Sequence, residues 1–503
     1  MHTMRYIPPS TGEKLVILQS EMIRTIVLDA KAEWTIGRSV PNNYPDIDIQ
    51  SIIVSRQHGT LTKSDDQWFF SCNPNNTNPT YINGEAIYTR PDEERRAIPL
   101  KVGDVLRIDS VDLRRPDERG VLLLFTSGRS AGQWTLYPLA RRSVTLIGRD
   151  PARCDIVQPL PYISAIHARI DRKRGVYYIS DNGSRSGTWL NNRRVDKPVP
   201  LREKDRIAIC DCSFIFTSGC LVYEQREPAE MTVCSRPLRY EDKPVILKAN
   251  IASKQVRNNS GAGMKELIRH INLELREGTL VALLGTAGAG KSTVMNCLNG
   301  MDTQGVQGSI MYMDQDLIEN FGRLQYLIGS VPQNKTFHPT YTPEQEFTDA
   351  AILRLPRDTT REEIRRRVDN TISMLRMEGV RNTQNRKLSG GEQTRVNVGI
   401  ELVADRQLLC LDEPDAGLSP NLKHELFEIL RKLAHENNKC ILTIIHDVSE
   451  IDLFDQVIML VKVDNVGRLA FSGTPQQARE RFGVEMREVY SVLESAPEKY
   501  VED

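Results

Sequence analysis

Residues 280–293 read Leu280-Val281-Ala282-Leu283-Leu284-Gly285-Thr286-Ala287-Gly288-Ala289-Gly290-Lys291-Ser292-Thr293. The unbroken apolar run Leu280–Leu284 predicts a strand buried on both faces, as in a parallel sheet. It leads directly into G-x-x-x-x-G-K-S, whose glycines let successive backbone N–H groups close around phosphate oxygens. A helix is predicted to follow and to aim its N-terminus at the anion. Lys291 then adds a mobile cation, and Ser292 offers a hydroxyl to a magnesium ion. Strand, glycine-rich turn and helix in that order predict α/β architecture from about residue 245 onward.

Three further segments carry matching chemistry. Leu408-Leu409-Cys410-Leu411 predicts a central strand that delivers Asp412 and Glu413 at its C-terminal edge, where α/β sheets hold their ligands. Asp412 suits magnesium, and Glu413 is placed to orient and polarise an attacking water. Ser389-Gly390-Gly391-Glu392 opens a helix-compatible run, Gln393–Leu402, and so offers another anion-binding helix end. Gln333 follows the apolar strand Ile328–Val331, and His446 follows Ile441–Ile445.

This ordered set resembles the ATP-binding domain of ABC ATPases over residues 245–490. In that family two such domains stack head to tail, with each ATP held between one phosphate loop and the partner's signature sequence. The resemblance implies that Gly285, Thr286, Ala287, Gly288, Ala289, Gly290, Lys291, Ser292 and Thr293 bind ATP in cis, with Gln333. It implies that Glu413, His446 and Lys291 act in catalysis, and that Ser292, Gln333 and Asp412 hold magnesium. Ser389, Gly390 and Gly391 would reach the γ-phosphate of a partner's nucleotide, so a homodimer is expected. Two positions depart from the family. Ser419 stands where an aspartate usually links the two sites, and Asn250–Val256 contains no aromatic residue to stack on adenine. Segments 309–355, 396–402 and 467–482 resemble the white-type G subfamily of ABC transporters. There a membrane domain follows the ATPase domain in the same chain.

The first part of the chain has a different pattern. All four tryptophans, Trp34, Trp68, Trp134 and Trp189, lie in it. Short alternating segments such as Gln67–Ser71, Val176–Ser180 and Arg206–Ile209 are separated by Gly, Asn, Asp and Pro clusters, the pattern of β-sandwiches. Landmarks recur in the same order: Ile36-Gly37-Arg38 as Ile147-Gly148-Arg149, Ser55-x-x-His58 as Ser164-x-x-His167, and Thr80-Tyr81-Ile82-Asn83 as Thr188-Trp189-Leu190-Asn191. Two copies of one domain are therefore predicted, at 14–126 and 127–218, with a linker at 219–244. Each copy combines an arginine fork, a serine hydroxyl and a polar turn, which together suit a phosphate.

Each copy resembles the forkhead-associated (FHA) domain, a β-sandwich that binds phosphothreonine peptides through its loops. The resemblance implies phosphate contacts from Arg38, Ser55, Arg56 and Thr77 in the first copy, with Asn78 holding the peptide backbone. Pro79 departs from the usual glycine there. In the second copy Arg149 and Ser164 remain, Ala165 replaces Arg56, and Arg185 and Ser186 stand at the Thr77 and Asn78 positions. His58 and His167 are expected to brace loops rather than to touch ligand.

Composition narrows the remaining classes. A chain of 503 residues accommodates about three or four domains at roughly 100–200 residues each. Lys plus Arg and Asp plus Glu are both 66, so no global charge attracts nucleic acid or an anionic membrane, and no nucleic-acid partner is expected. The longest apolar runs, Val121–Phe125 and Val457–Val461, fall far short of the roughly 20 residues of a membrane helix. The N-terminus lacks a secretory signal pattern. Among nine cysteines only Cys210 and Cys212 lie close together, and they are read as alternate residues of a strand. The run Arg361–Arg367, with Glu362/Arg366 and Glu363/Arg367 at i, i+4, predicts a solvated helix face, with membrane contact as the alternative.

The expected whole is therefore multidomain: two all-β FHA sandwiches, then an α/β P-loop ABC ATPase domain with a helical subdomain. The expected function is that of the ATP-hydrolysing subunit of an ABC transporter, using ATP and Mg2+. It would be cytoplasmic, peripheral on the membrane through a transmembrane subunit or a further C-terminal membrane domain. A phosphothreonine-bearing protein, such as a Ser/Thr kinase or its substrate, would recruit or regulate it. The alternatives are a soluble ABC-type ATPase without transport and a nucleotide-switched FHA adaptor.

Overall fold

The computed structural model describes residues 13–501 except 20–21, 29, 65–66, 83–84, 88–95, 102, 110–119, 127–132, 203–204, 218, 227–238, 258–262, 314 and 496. Asn83 and parts of the predicted linker thus lie outside the described residues.

Alternation in the first part does produce strands with one buried face. Gln67–Cys72 alternates between partly and fully buried side chains along its whole length. In the first domain one sheet runs in the order Met22–Val27, Lys14–Gln19, Val121–Thr126, Val105–Ile108, Thr80–Ile82, Glu85–Ile87. The second sheet runs Ile47–Asp48, Glu33–Gly37, Gly59–Ser64, Gln67–Cys72, Ala97–Pro99. Trp68, Phe70, Leu61 and Ile36 fill the space between them.

The second domain has a matching five-stranded sheet, from Ile156–Val157 through Val144–Gly148, Ala168–Lys173 and Val176–Asp181 to Val199–Pro200. Its six-stranded sheet contains Cys220–Gln225, paired with both Cys212–Thr217 and Gln133–Pro138. This corrects the predicted boundary: residues 220–225 belong to the second sandwich and not to the linker. Gly219, with φ 73, is the turn of the hairpin that joins this strand to its neighbour. A second correction concerns the cysteine pair. Cys210 sits in the hairpin turn at φ 51 and Cys212 opens the next strand opposite Ile209, so the two are not alternate residues of one strand. The six-stranded sheets of the two sandwiches share a buried cluster, Val16, Leu18, Val105 and Leu124 against Ile215 and Val222.

The last domain is built on a ten-stranded mixed sheet. Thr279–Gly285 is buried at every position, as the apolar run predicted, with parallel neighbours Cys440–Ile444 and Gln456–Val463. Leu408–Asp412 and Ile328–Val331 extend the parallel part. Helices Pro343–Arg354, Arg361–Met374 and Gly390–Leu402 pack on one another as a helical subdomain. The domain continues past 490 through the helix Met486–Ser495, and Tyr500 packs its ring 5.1 Å from that of Phe482. One buried cluster runs from the second sandwich (Ile207, Phe214) into the sheet domain (Ile246, Leu324), so these two domains share a core.

Candidate functional site

The phosphate loop follows from its backbone. Gly290 caps the helix Lys291–Leu298 in the left-handed region at φ 83, a conformation that disfavours any side chain. Lys291 Nζ donates to the carbonyl of Gly285 at 2.9 Å and to that of Thr286 at 3.4 Å, folding the side chain back over the loop. Burial lowers the Lys291 pKa below its ordinary 10.5, while Glu413 and Asp412 pull it upward. Thr286 Oγ1 is buried with no hydrogen-bond partner among the described residues.

The strand Leu408–Asp412 delivers its two carboxylates beside this loop. Glu413 lies in the left-handed region at φ 47, a cost on the order of 1 kcal/mol for a residue with a Cβ. Its carboxylate is held on both sides. Gln333 Nε2 donates to Oε2 at 2.8 Å, and His446 Nε2 lies 2.6 Å from Oε1. Burial, and then the neighbouring Glu413, raise Asp412 above its ordinary 3.8, with His446 and Lys291 opposing them. The structure thus brings together residues that lie far apart in the chain: the loop 285–293, Gln333, Asp412, Glu413 and His446.

Ser389 is the N-cap of the helix Gly390–Leu402, with a capping box to Glu392: Ser389 N and Oγ donate to its carboxylate at 2.8 and 2.7 Å. Gly390 and Gly391 form the first turn, against Leu418 and Leu422. Ser419 caps the next helix, Pro420–Glu436, without a side-chain cap bond. Asn250–Val256 lies inside the long strand Val245–Arg257, where Lys254 is buried and donates to the carbonyl of Asp302 at 2.8 Å.

The two sandwiches repeat one loop scaffold. Arg38 N donates to Ser55 O at 3.1 Å, and Arg149 N to Ser164 O at 3.1 Å. Ser55 N donates to His58 Nδ1 and Ser164 N to His167 Nδ1, both at 3.2 Å. Thr77 N reaches Ser55 Oγ and Arg185 N reaches Ser164 Oγ, both at 3.4 Å. Arg185 therefore holds the Thr77 position, as predicted. A Cβ on Gly37 would lie 2.1 Å from the Arg56 carbonyl, and one on Gly148 2.2 Å from that of Ala165. The glycine preceding each arginine is thus required by the close approach of a second loop.

Both histidines brace loops, as expected. His58 Nε2 lies 3.0 Å from Thr80 Oγ1, and His167 Nε2 3.2 Å from the Gly187 carbonyl, which fixes the proton of His167 on Nε2. Burial lowers the His58 pKa from its ordinary 6.5 to about 4. In the first sandwich Asn78 Nδ2 donates to Ile53 O at 2.9 Å, Arg38 Nε donates to Val54 O at 3.3 Å, and Arg56 is exposed.

The loops of the second sandwich meet the helical subdomain. Arg149 Nη1 donates to Glu363 Oε1 at 3.0 Å and its Nη2 lies 3.7 Å from Asp358 Oδ1. The backbone N–H of Ala165 donates to Asp358 Oδ2 at 2.6 Å. Arg185 donates to the Leu353 carbonyl and lies over the Tyr326 ring. This corrects the prediction of a solvated face on Arg361–Arg367. Glu362 and Arg366 are exposed, but Glu363 and Arg367 are partly buried. No local sequence signal ties Asp358 or Glu363 to the second sandwich, because their partners lie about two hundred positions away.

This combination of fold and site defines an ABC ATPase domain behind two FHA domains, and comparison with known proteins agrees. The family model described as ABC transporter matches residues 268–416, and the FHA domain model matches 34–109 and 145–210. The chain carries an ABC transporter ATP-binding domain preceded by two FHA domains. It is 30% identical over 347 residues to the ABC transporter ATP-binding/permease protein Rv1747 of Mycobacterium tuberculosis, covering 68% of this chain and 37% of that protein. It is 32% identical over 234 residues to Protein white of Drosophila melanogaster, covering 44% of this chain and 33% of that one. ABC transporter G family member 17 of Arabidopsis thaliana is 32% identical over 224 residues, covering 43% of this chain and 33% of that one. The chain thus spans about a third of the length of these curated relatives. Among the described residues, no helix is long and apolar enough to cross a membrane.

Proposed function

We propose that this chain is the ATP-hydrolysing part of an ABC transporter, recruited or regulated through phosphothreonine recognition by its FHA domains. The observation that carries the hydrolytic reading is the double hold on Glu413 by Gln333 and His446, beside the loop of Lys291. A carboxylate fixed at both oxygens is preorganised to orient a water at the γ-phosphate, and positioning is most of what phosphoryl transfer requires. Residues 285–293 would cradle the phosphates, and the Thr286 hydroxyl, buried without a partner among the described residues, is a group that a ligand could satisfy.

Magnesium suits the donor set. Ser292, Asp412 and Gln333 offer a hydroxyl, a carboxylate and an amide oxygen, the hard ligands such an ion takes. The Gln333 amide nitrogen is engaged by Glu413, which leaves its oxygen as the ligand atom. When bound, the ion would supply positive charge that neutralises phosphate oxygens. Ser389, Gly390 and Gly391 would complete the nucleotide site of a second copy, so the working unit is a dimer. Membrane helices would come from a partner subunit or a further segment of the natural chain, holding this part on the cytoplasmic face of a membrane.

The first FHA domain is the better candidate for binding a partner in trans, since among the described residues Arg38 and Arg56 have no side-chain hydrogen bond to another domain. Phosphate release from ATP with magnesium, measured over rising protein concentration, tests the hydrolytic half and should climb more steeply than linearly. Fluorescence anisotropy with a phosphothreonine peptide and its unmodified twin tests the other half. Absence of release at every concentration, or equal weak binding of both peptides, would overturn the respective half.

A further inference from the structure

The second FHA domain keeps the loop scaffold of the first, held by the same internal hydrogen bonds, and although Ala165 replaces one arginine, its Arg149 and Arg185 side chains face the ATPase domain. Asp358 Oδ2 accepts from the backbone N–H of Ala165, and Oδ1 lies opposite the Arg149 guanidinium. Glu363 takes the other nitrogen of the same fork. Burial opposes the charge on Glu363, but the Thr360 N–H and Arg149 outweigh it and hold its pKa below the ordinary 4.5. The carboxylates thus take the donors a phosphate would use, the Ala165 N–H and one arm of the Arg149 guanidinium, and set a second negative oxygen 3.7 Å from its other arm.

The presenting segment has a defined local geometry. Leu355 closes the helix Pro343–Arg354, and Thr360 caps the helix Arg361–Met374 through a capping box with Glu363. Asp358 stands on the turn between these helices and Glu363 in the first turn of the second, so one rigid corner carries both carboxylates. A separate set of contacts ties the same FHA domain to the rest of the ATPase domain. Arg323 Nη1 donates to the Cys210 carbonyl at 2.5 Å, and Gln315 Nε2 donates to that of Asp211 at 3.2 Å. A Cβ on Gly322 would lie 3.0 Å from the Trp189 ring.

We propose that the second FHA domain is a carboxylate-binding dock whose ligand is the Asp358/Glu363 pair of its own chain. It bridges the helical subdomain to the sheet domain and is closed to phosphopeptides while the pair is seated. This rests on the FHA reading of residues 145–210 but not on ATP turnover or on peptide binding by the first domain.

Hydrogen exchange by mass spectrometry on the full chain, without nucleotide or peptide, tests it. Asp358→Ala with Glu363→Gln removes both charges while keeping a capping-box residue at position 363. The expected result is about tenfold faster exchange around Ala165 and Arg185, with no change in the loops of residues 38–56. Arg149→Ala should speed exchange of residues 355–363 in the reciprocal way. Unchanged exchange across the contact in both the double variant and Arg149→Ala would overturn the proposal, because a folded protein would then show no dependence on these charges.

Discussion

His446 Nε2 stands 2.6 Å from Glu413 Oε1 while Gln333 Nε2 donates to the other oxygen at 2.8 Å, so one carboxylate joins two loops that leave different strands of the sheet. Replacing Glu413 by Gln keeps a hydrogen-bonding group of the same shape and removes the base. Turnover should fall about a hundredfold or more. Nucleotide affinity, measured by equilibrium binding of a fluorescent ATP analogue, should stay close to wild type. A variant that hydrolyses at the parent rate would remove Glu413 from the mechanism.

Lys291 is folded onto the carbonyls of Gly285 and Thr286. Lys291→Ala deletes the cation without touching the buried strand behind it. ATP binding should weaken by about 2 kcal/mol, roughly thirtyfold, with little change in melting temperature. Calorimetric titration and a thermal scan of the same sample separate these two outcomes.

Gly37 faces the Arg56 carbonyl at a distance that no Cβ can occupy. Gly37→Ala should force the two loops apart and destabilise the first FHA domain by about 1–3 kcal/mol. Denaturant unfolding followed by tryptophan fluorescence reads the loss, with Trp34 and Trp68 as local reporters. Binding of a phosphothreonine peptide should fall in the same variant, since Arg38 and Arg56 sit on the displaced loops.

The buried His58 couples this domain to pH. Its pKa is about 4 in the folded chain and 6.5 ordinarily, so between those values the unfolded chain binds more protons. Stability is therefore complete above pH 6.5 and declines as pH falls toward 4, by about 3 kcal/mol in all. An NMR titration of the imidazole, assigned by loss of its signal in His58→Gln, should show a midpoint far below those of exposed histidines. A midpoint near 6.5 would contradict the burial argument.

The sequence made some of this legible and concealed the rest for identifiable reasons. Leu280–Leu284 is legible because a strand covered on both faces has to be apolar throughout. The repeated Gly-Arg and Ser-x-x-His landmarks were legible because close loop approach and histidine bracing recur in both sandwiches. Cys220–Gln225 is hidden in a stretch whose prolines and mixed charges lack sustained periodicity, and its strand shows only in the pairing across the Gly219 turn. The i, i+4 rule places Glu363 in solvent because it sees only neighbours on the same helix. Its decisive neighbour, Arg149, comes from another domain.

The seating of Asp358 against the Ala165 N–H has one more consequence. A ligand covalently joined to its own receptor is present at a fixed effective concentration, on the order of millimolar for a short tether, however dilute the protein. Any soluble anion seeking this cradle competes with that constant local supply. Weak ligands are thereby filtered out, and occupancy begins only above a threshold set by the chain itself.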